Sequence, residues 1–264
     1  MQVSVLSIIF MAISAFVSIG LPVAIFVVLH KKYNAKYVPM IIGAAAFIIF
    51  ALVLEQSVHL VVFKNFALKE KPFLYILYGI FMAGIFEETA RFISFNILKR
   101  KYNGISTALS YGIGHGGTEA ILLAGVSMIT NIVFCVIINT GNAEILTGKL
   151  QGEALEKMNA AISALISTAP PMFLLSGLER VFAISIQISL SVLVFYSVYG
   201  KDKIWLFPLA ILLHALIDLP AAASQAGVIK NVLLVEGIVC LCAIAIGLFA
   251  VGMHKKLKTD LFTH

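Results

Sequence analysis

Residues 4–29, SVLSIIFMAISAFVSIGLPVAIFVVL, contain no charged side chain. A helix needs roughly 20 apolar residues to cross a hydrocarbon core about 30 Å thick, and this run exceeds that length. No basic segment precedes it and no small-residue cleavage site interrupts it before Lys31, so it reads as a retained helix and not as a removed signal peptide. Six further runs repeat the pattern, at about 38–63, 73–98, 105–138, 171–199, 204–222 and 228–252. The fold class that follows is an all-α polytopic membrane protein with about seven transmembrane helices. The fourth run is too long for one perpendicular span, and it either tilts or projects from the bilayer.

Composition points the same way. Hydrophobic residues make up 61% of the chain and charged residues 12%, with a mean hydropathy of +1.02. Soluble domains carry about a quarter charged residues, so a water-soluble fold is excluded. The net charge of +6 is not gathered into a basic face with exposed aromatics, which argues against nucleic acid as a partner. Cys135, Cys240 and Cys242 lie inside apolar runs with no zinc-knuckle or disulfide spacing, and read as small core residues.

The basic residues sit between the runs and report topology. One side collects Lys31, Lys32, Lys36, Lys99, Arg100, Lys101, Lys201, Lys203, Lys255, Lys256 and Lys258. The other holds Lys64, Lys69, Lys71, Lys149, Lys157 and Lys230. The excess predicts an outside amino terminus and a cytoplasmic carboxyl terminus. Tyr33, Tyr37, Tyr102, Tyr199 and Trp205 fall on the same cytoplasmic border, where amphipathic rings settle. No polar linker or internal repeat divides the chain, so 1–264 reads as a single helical membrane domain. One long external loop, about 141–170, contains Glu153 to Ser167 with Leu155, Met158, Ile162, Leu165 and Ile166 at helical spacing. This is a short amphipathic helix, either a plain connector or a lid over a cavity.

Ionisable residues inside the runs carry the functional signal, because each costs roughly 2.5–3.5 kcal/mol on insertion scales. The third run holds Glu87, Glu88 and Arg91; the fourth, His115 and Glu119; the fifth, Glu179 and Arg180; the sixth, His214 and Asp218. Their depths follow from the helical rise of about 1.5 Å per residue. Glu88, His115 and His214 each lie about eleven residues, or roughly 16 Å, from the cytoplasmic border, and Gln187 lies near the same level. Three separate helices therefore place titratable groups in one layer near mid-bilayer.

Within each helix the spacings Glu88/Arg91, Glu87/Arg91, His115/Glu119 and His214/Asp218 put partners on one face. Two imidazoles and several carboxylates converging in a dry layer form an N/O donor set suited to a divalent metal, zinc being the type case. A glutamate left over from such a set could activate a metal-bound water. Ordinary structural pairing is the preferred reading for Glu55 with His59, for Glu236 and for Glu179 with Arg180. Gly112, Gly114, Gly116 and Gly117 surround His115 and either let helices approach closely or leave room for a peptide backbone or water.

In order along the chain, Glu87-Glu88-Thr89-Ala90-Arg91, Gly114-His115-Gly116-Gly117-Thr118-Glu119-Ala120, Glu179-Arg180, and His214 with Asp218 resemble the YhfC family of intramembrane metalloproteases. That family is similar to the PrsW proteases and the type II CAAX-processing proteases. The resemblance covers about 80–220 and implies a peptidase-like core over about 73–222. It further implies a paired-glutamate base at Glu87 and Glu88 oriented by Arg91, with Glu119 and Arg180 as further catalytic residues. His115 and His214 would bind metal or polarise water, with Asp218 as ligand or supporting partner. Two departures stand out. The CAAX-type motif places its arginine one residue beyond Arg91, so the match lies nearer PrsW; and Gln187 stands where the family often carries a histidine.

The function these readings imply is metal-dependent hydrolysis of a membrane protein or peptide substrate by a bacterial cytoplasmic membrane protein. Two rivals are kept. A proton- or metal-coupled transporter also places carboxylates and histidines at mid-bilayer, although it commonly shows paired repeats that are not evident here. A catalytically silent scaffold would retain the polar network for structure alone.

Overall fold

The computed structural model describes residues 2–257, the side chain of Lys69 excepted; Lys258 of the basic carboxyl-terminal group lies outside them. Among the described residues the chain is helical, with no strand. Nine helices follow in order: α1 (Val5–Tyr33), α2 (Tyr37–Asn65), α3 (Pro72–Leu98), α4 (Ile105–Asn139), α5 (Glu144–Thr147), α6 (Gly152–Ser167), α7 (Pro170–Tyr199), α8 (Leu206–Gln225) and α9 (Val232–Leu257). Seven of them, all but α5 and α6, are long and apolar enough to cross a membrane. The protein is an integral membrane protein. Phe16, Leu60, Leu241 and Leu248 project outward with more than half of their surfaces uncovered, as expected of side chains that lipid and not water surrounds.

Two of the long helices are wound unevenly. Phe47–Glu55 within α2 and Ala120–Gly125 within α4 are π-helical, and such wide turns are frequent at functional sites. The α4 segment therefore continues through its whole 35 residues without a break, and the extra length noted in the sequence belongs to one irregular helix.

The described residues pack as two compact units, one comprising 2–21 and 120–181, the other 22–119 and 182–257. Residues 73–222 are shared between them. In the first unit Met11, Met128, Cys135 and Phe173 form the buried core, and α6 lays Leu165 into it with Ile162 and Ile166 alongside. Its opposite face carries the exposed pair Glu153 and Lys157. The amphipathic spacing read in the loop is thus the packing face of α6 within that unit.

In the second unit α4 packs on α2, and α8 packs on α3. Phe95, Tyr111, Phe195 and Tyr196 are fully buried at its centre, with the Phe95 and Tyr111 rings 4.9 Å apart. Glycine makes the helix contacts possible. A Cβ on Gly114 would strike the carbonyl oxygen of Met40, and one on Gly43 would strike that of Tyr111, so α2 and α4 touch backbone to backbone. On the next face of α4, a Cβ on Gly112 would lie 2.7 Å from Ile188 Cα, and one on Gly116 2.7 Å from Gln187 Cβ. A Cβ on Gly117 would likewise lie 2.8 Å from Pro22 Cβ, so close helix packing accounts for all four glycines around His115. The same contacts bring His115 against α7 and α2 and seat the polar residues described next.

Candidate active site

The polar cluster lies entirely within the second unit. Helix α3 supplies Glu87, Glu88 and Arg91, and the α-helical repeat turns the last toward the first two. Arg91, Glu88 and His115 have no exposed surface, so none of them draws on bulk solvent. The Arg91 guanidinium donates from Nη1 to Glu88 Oε1 at 2.6 Å and from Nη2 to Glu87 Oε2 at 3.5 Å. It also donates to Gln187 Oε1 and, through Nε, to Ser191 Oγ at 3.3 Å, both on α7. Each glutamate then receives an imidazole from another helix. His115 Nε2 lies 2.8 Å from Glu87 Oε2, and His214 Nδ1 lies 2.7 Å from Glu88 Oε1. The second His214 nitrogen lies 3.4 Å from Asp218 Oδ2. Gln187 closes the ring, its Nε2 donating to Glu119 at 2.7 Å and to Glu87 at 3.1 Å.

Two polar atoms in this layer are buried without a hydrogen-bond partner: Glu88 Oε2 and His115 Nδ1. An unpaired buried acceptor costs about 1–3 kcal/mol, so such atoms are expected where a substrate or its water is received. His115 is held in place by ring contacts with Phe47, edge-on at 5.2 Å, and Tyr111, stacked at 6.0 Å.

Of the residues singled out in the sequence, Glu87, Glu88, Arg91, His115, Glu119, His214 and Asp218 share this network. Arg180 belongs to the first unit, where it pairs with its neighbour Glu179. One participant, Ser191, carries no signal in the sequence. Ser191 anchors Arg91 while bonding its own helix at Gln187 O, 2.7 Å away. Glu55, read in the sequence as an ordinary structural pair, is buried at the end of the π segment of α2. It lies 3.2 Å from His59, and His59 bonds the Tyr78 hydroxyl at 2.8 Å, the pairing expected from the sequence. No local signal would have revealed Ser191, because its contact with Arg91 depends on which helices meet.

The model of the family described as YhfC intramembrane metalloprotease matches residues 14–239. The chain belongs to the YhfC family. It is also similar to the membrane protein YhfC of Bacillus subtilis (strain 168), with 38% identity over 260 residues, covering 97% of this chain and 99% of that relative. No solved structure matches.

The description of the YhfC family implies a metal, and the geometry can be tested for one. Among the described residues no three His, Cys, Asp or Glu side chains are placed together to hold a metal ion. The expected set of His115, His214 and Asp218 is not assembled here, for a physical reason. The inward nitrogen of each imidazole is engaged by a glutamate, and both glutamates are engaged by Arg91. A guanidinium stays charged in any protein environment. A dication about 4 Å from it would be opposed by about 8 kcal/mol at an effective dielectric of 20. The residue types suit zinc, but this arrangement of them does not fit it.

Proposed function

We propose that the protein is an intramembrane endopeptidase that hydrolyses peptide bonds of membrane protein or peptide substrates with a carboxylate-activated water. The observation that carries the reading is Glu88 Oε2, a fully buried carboxylate oxygen with no hydrogen-bond partner, beside an arginine and a histidine. That oxygen is the natural acceptor for a proton from water, while Glu87 Oε2 already receives His115, Gln187 and Arg91. In the reaction the water oxygen bonds to the scissile carbonyl carbon as its proton passes to Glu88, and the same proton then goes to the departing amine as the C–N bond breaks. Arg91 and His214 fix the carboxylate through its other oxygen and hold positive charge and N–H donors close to the developing oxyanion in a site of low dielectric. No step is assigned to zinc, given how the donors are engaged.

The family's description as an intramembrane protease and the membrane setting support the peptidase part of this reading. The test is cleavage of membrane substrates in proteoliposomes containing wild type, Glu87→Ala, Glu88→Ala or His214→Ala, with new amino termini mapped by mass spectrometry. Loss in the Glu88 and His214 variants is the expected result; unchanged cleavage in all three ends the proposal. A second reading, a silent scaffold, is favoured by how fully Glu87, Gln187 and Arg91 satisfy one another. It predicts no cleavage by wild type while the network variants lose stability.

A further inference from the structure

We infer that Arg91 is the resident cation of this site: held by Glu87, Glu88, Gln187 and Ser191, it takes the place that a divalent ion would occupy, and the resting site binds no metal. The inference deepens the peptidase reading, but it stands on charge and hydrogen-bond polarity within the network.

Both glutamates are already engaged. Glu87 and Glu88 both contact Arg91, and each also contacts an imidazole. A metal seeking those oxygens must displace a guanidinium that has no exposed surface and no alternative partner of comparable charge among these contacts.

Gln187 keeps the guanidinium there. Its amide oxygen accepts from Arg91 while its two amide hydrogens go to Glu87 and Glu119. One amide has one acceptor group and two donors, so all three capacities are matched at once. A metal ligand in that place must offer a lone pair inward, toward the position where Gln187 directs N–H groups. The amide is therefore polarised for a carboxylate neighbour and an arginine, the reverse of what a metal needs. Ser191 completes the hold by receiving Arg91 Nε while its own hydrogen is committed to Gln187 O. The surrounding backbone leaves little freedom to rearrange, since Gly116 lies against the Gln187 stem and Gly112 against Ile188.

Removing the cation should turn the same residues into a metal site. Arg91→Met keeps the length of the side chain and frees Glu87, Glu88 and His115 to coordinate. Arg91→Lys keeps a positive charge and should not. The experiment is to purify full-length wild type, Arg91→Met and Arg91→Lys in detergent without chelators, measure bound transition metals by elemental analysis, and titrate each with zinc chloride. Wild type and Arg91→Lys are expected to carry fewer than about one ion per ten chains, and Arg91→Met to bind zinc at least about a hundredfold more tightly than wild type.

A wild-type protein with one ion per chain, removable by chelator with loss of thermal stability, overturns the inference. So does a folded Arg91→Met that gains no zinc affinity. If that variant fails to fold, the metal content of wild type and of Arg91→Lys decides the matter alone. Because metal content is measured without substrate, a metal-free protein that cleaves nothing would refute the peptidase and leave this inference standing.

Discussion

Glu88 and His214, 126 residues apart in sequence, are joined by a 2.7 Å hydrogen bond that ties α8 to α3 in the plane of the site. The same Glu88 oxygen receives Arg91 at 2.6 Å, so His214 is one of two donors fixing the carboxylate. Removing it leaves Glu88 still paired with Arg91. His214→Ala should therefore destabilise by about 1–3 kcal/mol rather than unfold the protein. Cleavage should fall at least about a hundredfold, because the carboxylate loses its orientation. His214→Gln, which keeps a donor, should recover most of the stability and little of the activity. Thermal unfolding in detergent and proteoliposome cleavage measure the two effects separately. Equal recovery of both would show that His214 only braces the fold.

The backbone contact between α2 and α4 gives a second prediction. Gly114→Ala places a methyl group on the Met40 carbonyl, which cannot yield without separating the helices. Overpacking of this kind costs about 1–3 kcal/mol or more. Gly79→Ala, where nothing lies within 4 Å, should be neutral or slightly stabilising, by up to about 1 kcal/mol of helix propensity. Comparing the two melting temperatures tests whether these glycines are contact points. Similar values for both variants would be incompatible with the close approach.

Depth arithmetic made much of the site legible from sequence, because helical rise is fixed and the helices alternate in direction. It placed Glu88, His115 and His214 in one layer, and the structure connects all three through Glu87 and Arg91. Partner identity was not legible. Arg91 reaches Gln187 and Ser191, 96 and 100 residues away, and only the packing of α3 on α7 decides that. For the same reason a donor set suited to zinc could be listed by type, while its engagement by a guanidinium could not. The pairing of Glu55 with His59 was legible, because i,i+4 residues share a helix face, and the structure holds the two 3.2 Å apart. The division into two units left no trace because it falls inside continuous helices and not at a polar linker.

The charge asymmetry of the loops yields a prediction about orientation. Lys99, Arg100 and Lys101 follow α3, and Lys201 and Lys203 follow α7, whereas the connection after α4 carries Asn142 and few basic residues. A cysteine introduced at Asn142, in a background lacking Cys135, Cys240 and Cys242, should react with an impermeant thiol reagent in intact cells. One at Lys201 should react only after permeabilisation. The opposite pattern would overturn the orientation expected from the loop charges, with its cytoplasmic carboxyl terminus.

Glu55 and His59 allow structural and functional roles to be separated. A buried ion pair replaced whole by apolar residues is often neutral or stabilising by about 1–4 kcal/mol, whereas removing one partner costs about 3–5 kcal/mol. His59→Leu alone leaves Glu55 buried with its principal partner gone, and should destabilise. Glu55→Leu with His59→Leu should restore stability to wild type or above, giving a coupling energy of at least about 1 kcal/mol in the double-mutant cycle. If the pair serves only the fold, the double variant cleaves as wild type does. A stably folded double variant that cleaves more slowly than wild type would instead give Glu55 a part in the reaction.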